Sequence, residues 1–179
     1  MKKSLISLAT LAAMIVAAHQ AQAADGTINF NGKVQDVTCT VKINGAGTGD
    51  GSVTLPTVSK TSLAGVGTTG GDTNFTIDLS GCTGTEASGN PGVAVFFEPG
   101  ANVTAEGRLK NTGSGAQEID LAVFHNGSIV RMGAAPASVF TNISGAEATI
   151  PFTVKYYSNS ATPSAGEVKS SVTYSIVYP

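Results

Sequence analysis

The residues Gly65-Val66-Gly67-Thr68-Thr69-Gly70 have the spacing of a dinucleotide-binding fingerprint. That chemistry needs a strand before the glycines and a helix after them, so that the helix N-terminus faces a pyrophosphate. Gly71, Asp72 and a β-type run follow instead, so the segment reads as a flexible loop. Of the two histidines, His19 directly follows an apolar N-terminal run, which leaves His125 for chemistry. A zinc site needs three or four ligands from His, Cys or carboxylate, and one histidine beside a hairpin turn is poor material for it. No Gly-x-Ser-x-Gly elbow accompanies His125 to supply a nucleophile. Glu98, Glu106, Glu118 and Asp120 offer carboxylates for acid–base work on a glycoside. Their separation would decide that chemistry, and dispersed, solvated carboxylates are the default. The expectation is a chain with no catalytic residues, no metal and no cofactor.

Two residues remain with covalent potential, Cys39 and Cys82. Their partner chemistry depends on the compartment, and the N-terminus speaks to that. Lys2 and Lys3 precede an apolar run from Leu5 to Ala18, and Ala21-Gln22-Ala23 supplies small residues at a cleavage spacing. This is the three-part plan of a secretory signal peptide, expected to occupy residues 1–23. The alternative, a membrane anchor, needs about 20 apolar residues, more than this run provides. Export favours one disulfide between Cys39 and Cys82 over a pair of buried thiols.

Removal of Lys2 and Lys3 with that leader takes the net charge from −2 to −4. A mildly acidic chain carries no electrostatic footprint for nucleic acid or anionic lipid. Charged residues make up only 12% of the chain, against about 25% in ordinary soluble proteins. The surface must therefore be built from Ser, Thr, Asn and Gly. Glycine accounts for 22 of 179 residues, above the usual ~7%, which favours a turn-rich all-β chain.

The elements that position these residues read as strands. Val37, Cys39, Val41 and Ile43 alternate, as do Phe75, Ile77 and Leu79, and Ile119, Leu121 and Val123. Val93 to Phe97 is a continuous apolar run, and Ser52 to Leu55 is a short strand candidate ended by Pro56. Asn126-Gly127 predicts a two-residue hairpin turn, because both turn positions need positive φ. Ile150 to Tyr157 and Val168 to Tyr178 complete the strands. The linking stretches, among them Gly65 to Thr73 and Asn111 to Gly115, read as loops. Several short strands with such punctuation predict a sandwich or small barrel in one domain.

The two ends hold the remaining signal. Gly26, Ile28, Phe30, Gly32 and Val34 share one face of an extended run before the first cysteine. Val172, Tyr174, Ile176 and Tyr178 alternate to the other end of the chain. An apolar edge strand is an aggregation liability unless something pairs with it. The two ends either pair within the domain, or at least one pairs with another chain.

At these residues the chain resembles the chaperone–usher pilins, and among them the type 1-like major fimbrial subunits. The stretch GTINFNGKVQDVTCTV is similar to the family's donor segment running into its first cysteine, and FTIDLSGC to the strand bearing the second. IPFTVKYYS and ATPSAGEVKSSVTYSIVYP resemble its last two strands, with Tyr178 as the penultimate tyrosine. The resemblance implies an immunoglobulin-like β-sandwich lacking its final strand, completed by donor-strand exchange. It implies a donor extension at 24–33 and a pilin domain at 34–179. Gly26, Ile28, Phe30, Gly32 and Val34 would be the donor set, and Val172, Tyr174, Ile176 and Tyr178 the strand that meets the chaperone. The implied partners are copies of itself, other pilins, a periplasmic chaperone and an outer-membrane usher. The implied role is a shaft subunit of an adhesive fimbrium on a bacterial surface, reached through the periplasm. The alternative is a minor or tip subunit that binds a host ligand directly.

Overall fold

The computed structural model describes residues 28–29, 38–83, 92–134, 136, 138 and 140–178. The expected signal peptide, and Gly26, Phe30, Gly32 and Val34 of the expected donor set, lie outside the described residues. The chain divides into two units, Met1–Lys33 and Val34–Pro179. In the first, Ile28 is exposed. All that follows concerns the second.

Among the described residues nine strands make two sheets. They are β1 (Thr38–Ile43), β2 (Thr69–Thr83), β3 (Gly92–Phe97), β4 (Leu109–Lys110), β5 (Ile119–His125), β6 (Ser128–Ile129), β7 (Thr141–Asn142), β8 (Ala148–Ser158) and β9 (Tyr174–Val177). The larger sheet runs β1-β2-β8-β5-β4, with β6 on β5, and the smaller runs β7-β3-β9. All the strand pairs are antiparallel. Among the described residues the one helical element is a 3₁₀ turn at Lys60–Leu63, started by the Ser59 hydroxyl. The chain is thus an all-β sandwich.

Side-chain alternation builds the core, since successive residues of a strand face opposite sides. Ile77 and Leu79 of β2, Leu121 and Val123 of β5, and Ile150, Phe152 and Val154 of β8 are buried on the inner face of the large sheet. Val93, Val95 and Phe97 of β3 meet them from the small sheet. Phe152 lies between Phe75, stacked at 5.4 Å, and Phe97, edge-on at 5.3 Å. The hairpin expected at Asn126-Gly127 is present: both residues have positive φ, 50° and 77°, and His125 pairs with Ser128 across it.

Three sequence expectations are corrected. Gly65 to Thr73 is only partly a loop, since β2 already begins at Thr69, opposite Tyr157. The glycine-rich turn before it is pinned: the Gly67 N–H donates to Ser158 O at 2.8 Å and the Ser158 N–H to Thr68 O at 2.9 Å. Ser52 to Leu55 forms no strand, because no neighbour offers it a ladder among the described residues. At the C-terminus only Tyr174–Val177 joins a sheet, pairing with Ala94–Phe97. Val168 to Thr173 runs along loops instead.

Cys39 and Cys82 form a disulfide, with Cα atoms 4.1 Å apart, and it fastens edge strand β1 to β2. The bond closes a loop with a sequence separation of 43, for which chain entropy gives roughly 4 kcal/mol before any strain. Reduction of the folded protein should lower its unfolding free energy by about 2–5 kcal/mol. Urea titrations with and without reductant measure this, and coincident curves would contradict it.

Candidate functional site: an open apolar groove

Among the described residues β9 and β1 are both edge strands, and the seam between the sheets is open along their side. A groove of about 480 Å³ occupies it. One lip is the extended segment Gly49–Leu55, and the other runs from Ser170 to Tyr174. The floor is the core itself: Phe75, Ile77, Phe97, Leu121, Val123 and Val154 all line the groove. Edge strands carry unpaired N–H and C=O groups, so this site presents main-chain bonding sites beside exposed apolar pockets.

Of the expected C-terminal set, Val172 and Tyr174 lie at this site. Val172, Tyr174, Ile176 and Tyr178 are half-buried, while Thr173 and Ser175 between them are exposed. Val172 and Tyr174 line the groove, and Ile176 and Tyr178 pack against the core further along. Only Tyr174 and Ile176 of the four belong to β9.

Tyrosine hydroxyls span the seam where main-chain pairing is missing. Tyr174 donates to Gly49 O at 2.6 Å, from one lip to the other. Tyr178 donates to the Cys39 sulfur at 3.9 Å, so the C-terminal strand abuts the disulfide. Tyr156 on β8 donates to Pro56 O at 3.2 Å and steadies the first lip. Burial pushes all three hydroxyl pKa values up, and Asp50 adds to the effect at Tyr174. They therefore stay protonated, and able to donate, through neutral pH.

The residues that could have done acid–base chemistry are engaged elsewhere. Asp120 is buried and accepts from the Arg108 Nε at 3.1 Å, and Arg108 also covers the Tyr157 ring at 4.2 Å. Glu98 accepts from the Ser175 hydroxyl at 2.5 Å. A bond from its own main-chain N–H, and then one from Thr104, hold the Glu106 carboxyl below its ordinary pKa. His125 Nδ1 lies 2.8 Å from Pro151 O, and the ring packs on Phe152. Among the described residues no group of three or more His, Cys, Asp or Glu is placed to hold a metal ion.

Two parts of the site escaped sequence reasoning. The first lip is visible in the alternating Val53 and Leu55, both half-buried here, but that alternation reads as a short strand. The loop around Glu98 and Asn102 that holds Ser171 and Thr173 from behind has no hydrophobic period, so periodicity could not find it.

Comparison with known proteins accords with this geometry. Residues 55–179 match the family described as type-1 fimbrial protein, A. The chain is 41% identical over 170 residues to the major fimbrial subunit SMF-1 of Stenotrophomonas maltophilia (strain K279a), covering 88% of this chain and 95% of that protein. It is 37% identical over 161 residues to the F17 fimbrial protein of Escherichia coli, covering 86% and 87% respectively. In three dimensions it resembles the P pilus rod subunit PapA, with a TM-score of 0.61 at 18% identity over 79% of this chain and 99% of that one.

Removing the hydroxyl that joins the two lips tests the seam directly. Tyr174→Phe keeps the edge-on packing on Phe97, at 6.5 Å, and loses the bond to Gly49. It should cost about 0.5–1.5 kcal/mol in chemical denaturation. An unchanged midpoint would show that the bond does not help hold the lips.

Proposed function

This chain belongs to the type-1 fimbrial protein family and is a structural subunit of a bacterial surface fimbrium, and we propose that it builds the shaft by donating Ala24–Lys33 to a neighbour's groove. The observation that carries this reading is the groove itself, floored by core side chains and edged by unpaired main chain. A single added strand would supply both the missing ladder and the missing apolar cover. Donor-strand complementation in pilins is an established instance of such strand addition.

The donor set suits the groove chemically. Ile28 and Phe30 offer apolar side chains on one face, each worth roughly 1.5–3 kcal/mol if fully buried. Gly32 shares that face without a Cβ, which fits a point of close backbone approach. Donation to a neighbour is a heterologous, head-to-tail contact that does not close, so it yields an open fibre. Before assembly the same groove needs a temporary occupant. A periplasmic chaperone strand fills that role in this reading, and an outer-membrane usher is where the exchange takes place. The match to a major fimbrial subunit across nearly that protein's whole length supports a shaft position over a tip position.

Two experiments test the reading. Phe30→Asp and Gly32→Val should leave a folded, disulfide-bonded subunit that still binds chaperone but does not extend fibres, with circular dichroism as the folding control. Normal fibres from Phe30→Asp would overturn the donor assignment. Tyr178→Asp should instead impair chaperone capture and lower periplasmic levels. Undiminished co-purification with the chaperone would remove Tyr178 from the acceptor strand.

A further inference from the structure

Strand β9 covers only Tyr174–Val177, yet the groove lip continues back through Val172 to Ser170. Something other than a sheet must hold that stretch extended. The odd-numbered residues are fixed from behind by loops. The Glu98 N–H donates to Thr173 O at 2.9 Å and the Thr112 N–H to Lys169 O at 2.7 Å. The Asn102 amide donates to Ser171 O at 3.3 Å. Among the described residues, no hydrogen bond engages the main chain of Val168, Ser170 or Val172. In an extended chain alternate residues turn their N–H and C=O to opposite sides. The free set therefore faces the groove.

Asn111 is the centre of this anchoring. Its Oδ1 accepts from the Lys169 N–H at 2.9 Å and from the Gly113 N–H at 2.7 Å. Its Nδ2 donates to Glu167 O at 3.2 Å and to Ala116 O at 2.7 Å. The side chain thus makes four bonds, using both lone pairs and both N–H groups of the amide. Two of the bonds shape its own loop and two grip the lip. The contact is close on both sides. A Cβ on Gly166 would lie 2.0 Å from Ala116 N, and one on Gly113 would lie 2.6 Å from Glu167 O. Asn111 reinforces a short stretch of direct main-chain pairing, in which the Thr112 N–H donates to Lys169 O and the Glu167 N–H to Ser114 O at 2.8 Å.

We propose that Asn111 is the positioning residue of the acceptor groove, holding Glu167–Lys169 so that the main chain of Val168, Ser170 and Val172 is presented to an incoming strand. This rests on the strand-acceptor reading above and extends it. The acceptor edge is then Val168–Val177, about ten residues, not the four of β9. An amide is required at residue 111, because a carboxylate would set oxygen against the carbonyls of Glu167 and Ala116.

The test uses the full chain and a labelled synthetic peptide of its own residues 24–35. Asn111→Asp and Asn111→Ala should each speed peptide dissociation by about tenfold, equivalent to about 1.4 kcal/mol. Asp120→Asn, which weakens the ion pair to Arg108 away from the groove, serves as a control for general destabilisation. Its urea midpoint should fall while peptide dissociation stays unchanged. Equal effects from all three variants would make Asn111 merely structural and overturn the proposal, as would unchanged dissociation from both Asn111 variants. Hydrogen exchange on the unaltered chain is independent of how the variants fold. The Lys169 amide should be protected throughout, and those of Val168, Ser170 and Val172 should become protected only when peptide binds. Rapid exchange at Lys169, or no peptide-induced protection at the other three, would refute the extended edge. If the unaltered chain binds no peptide, the strand-acceptor reading itself fails and the role of Asn111 falls with it. Intact peptide binding alongside a null result at Asn111 leaves that reading standing.

Discussion

Among the described residues, the hydrogen-bond partner missing along the seam between β1 and β9 is the constraint on which this structure depends. In a closed sandwich the core is covered at its edges. Here Phe75, Ile77, Phe97 and Val123 reach the wall of an open groove. A bare edge beside an apolar pocket is costly twice over, once in unpaired main chain and once in exposed hydrocarbon. A single strand of alternating side chains relieves both. The fold therefore has room for another segment, and on the proposed reading an occupant from a neighbour leaves that neighbour's own groove still open, so that the assembly grows instead of closing.

An open seam must also resist collapse. Edge strand β1 is tied to β2 by the Cys39–Cys82 bond and by a ladder from Thr38↔Thr83 to Ile43↔Ile77. Tyr174 and Tyr178 then reach across the gap to Gly49 and to the Cys39 sulfur. Side-chain bonds of this kind hold the lips at a set distance without filling the space between them. They are also individually weak, about 0.5–1.5 kcal/mol each. A strand that brings several main-chain bonds and two large apolar side chains can displace them. The seam is stable enough to persist and weak enough to yield.

How much of this was legible depended on the kind of force involved. The strands with inward alternation, β2 and β8, were readable because burial writes a period of two. The turn at Asn126-Gly127 was readable because positive φ at two adjacent residues restricts the residue types. The disulfide followed from two cysteines and the expectation of export. Val53 and Leu55 also alternate, but alternation reports only a buried face, not whether a ladder partner exists. The same ambiguity affected Val168 to Thr173. Its even residues face inward as expected, yet its bonds run to loops. Asn111 was invisible for a different reason. Its four partners at Gly113, Ala116, Glu167 and Lys169 are brought together by tertiary folding, and an asparagine in a turn-rich stretch is otherwise unremarkable.

The outer face of the large sheet explains how a chain with so exposed a groove can avoid indiscriminate association. Its polar side chains are bonded to one another in rows across the strands. Asp78 accepts from Thr76, Thr149 and the Gly45 N–H. Thr153 donates to Asn74, Lys155 pairs with Asp72, and Arg108 joins Asp120 to Asn159. With charged residues at only 12% of the chain, repulsion alone cannot keep such surfaces apart. Mutual satisfaction does it instead: a polar group already paired within its own sheet gains little from a foreign one, and displacing its partner costs what the new bond returns. The groove is the opposite case, with bonding groups and apolar area both unspent. The contrast between a satisfied face and an unsatisfied edge directs association to the edge, and an edge accepts only what can lie along it as a strand.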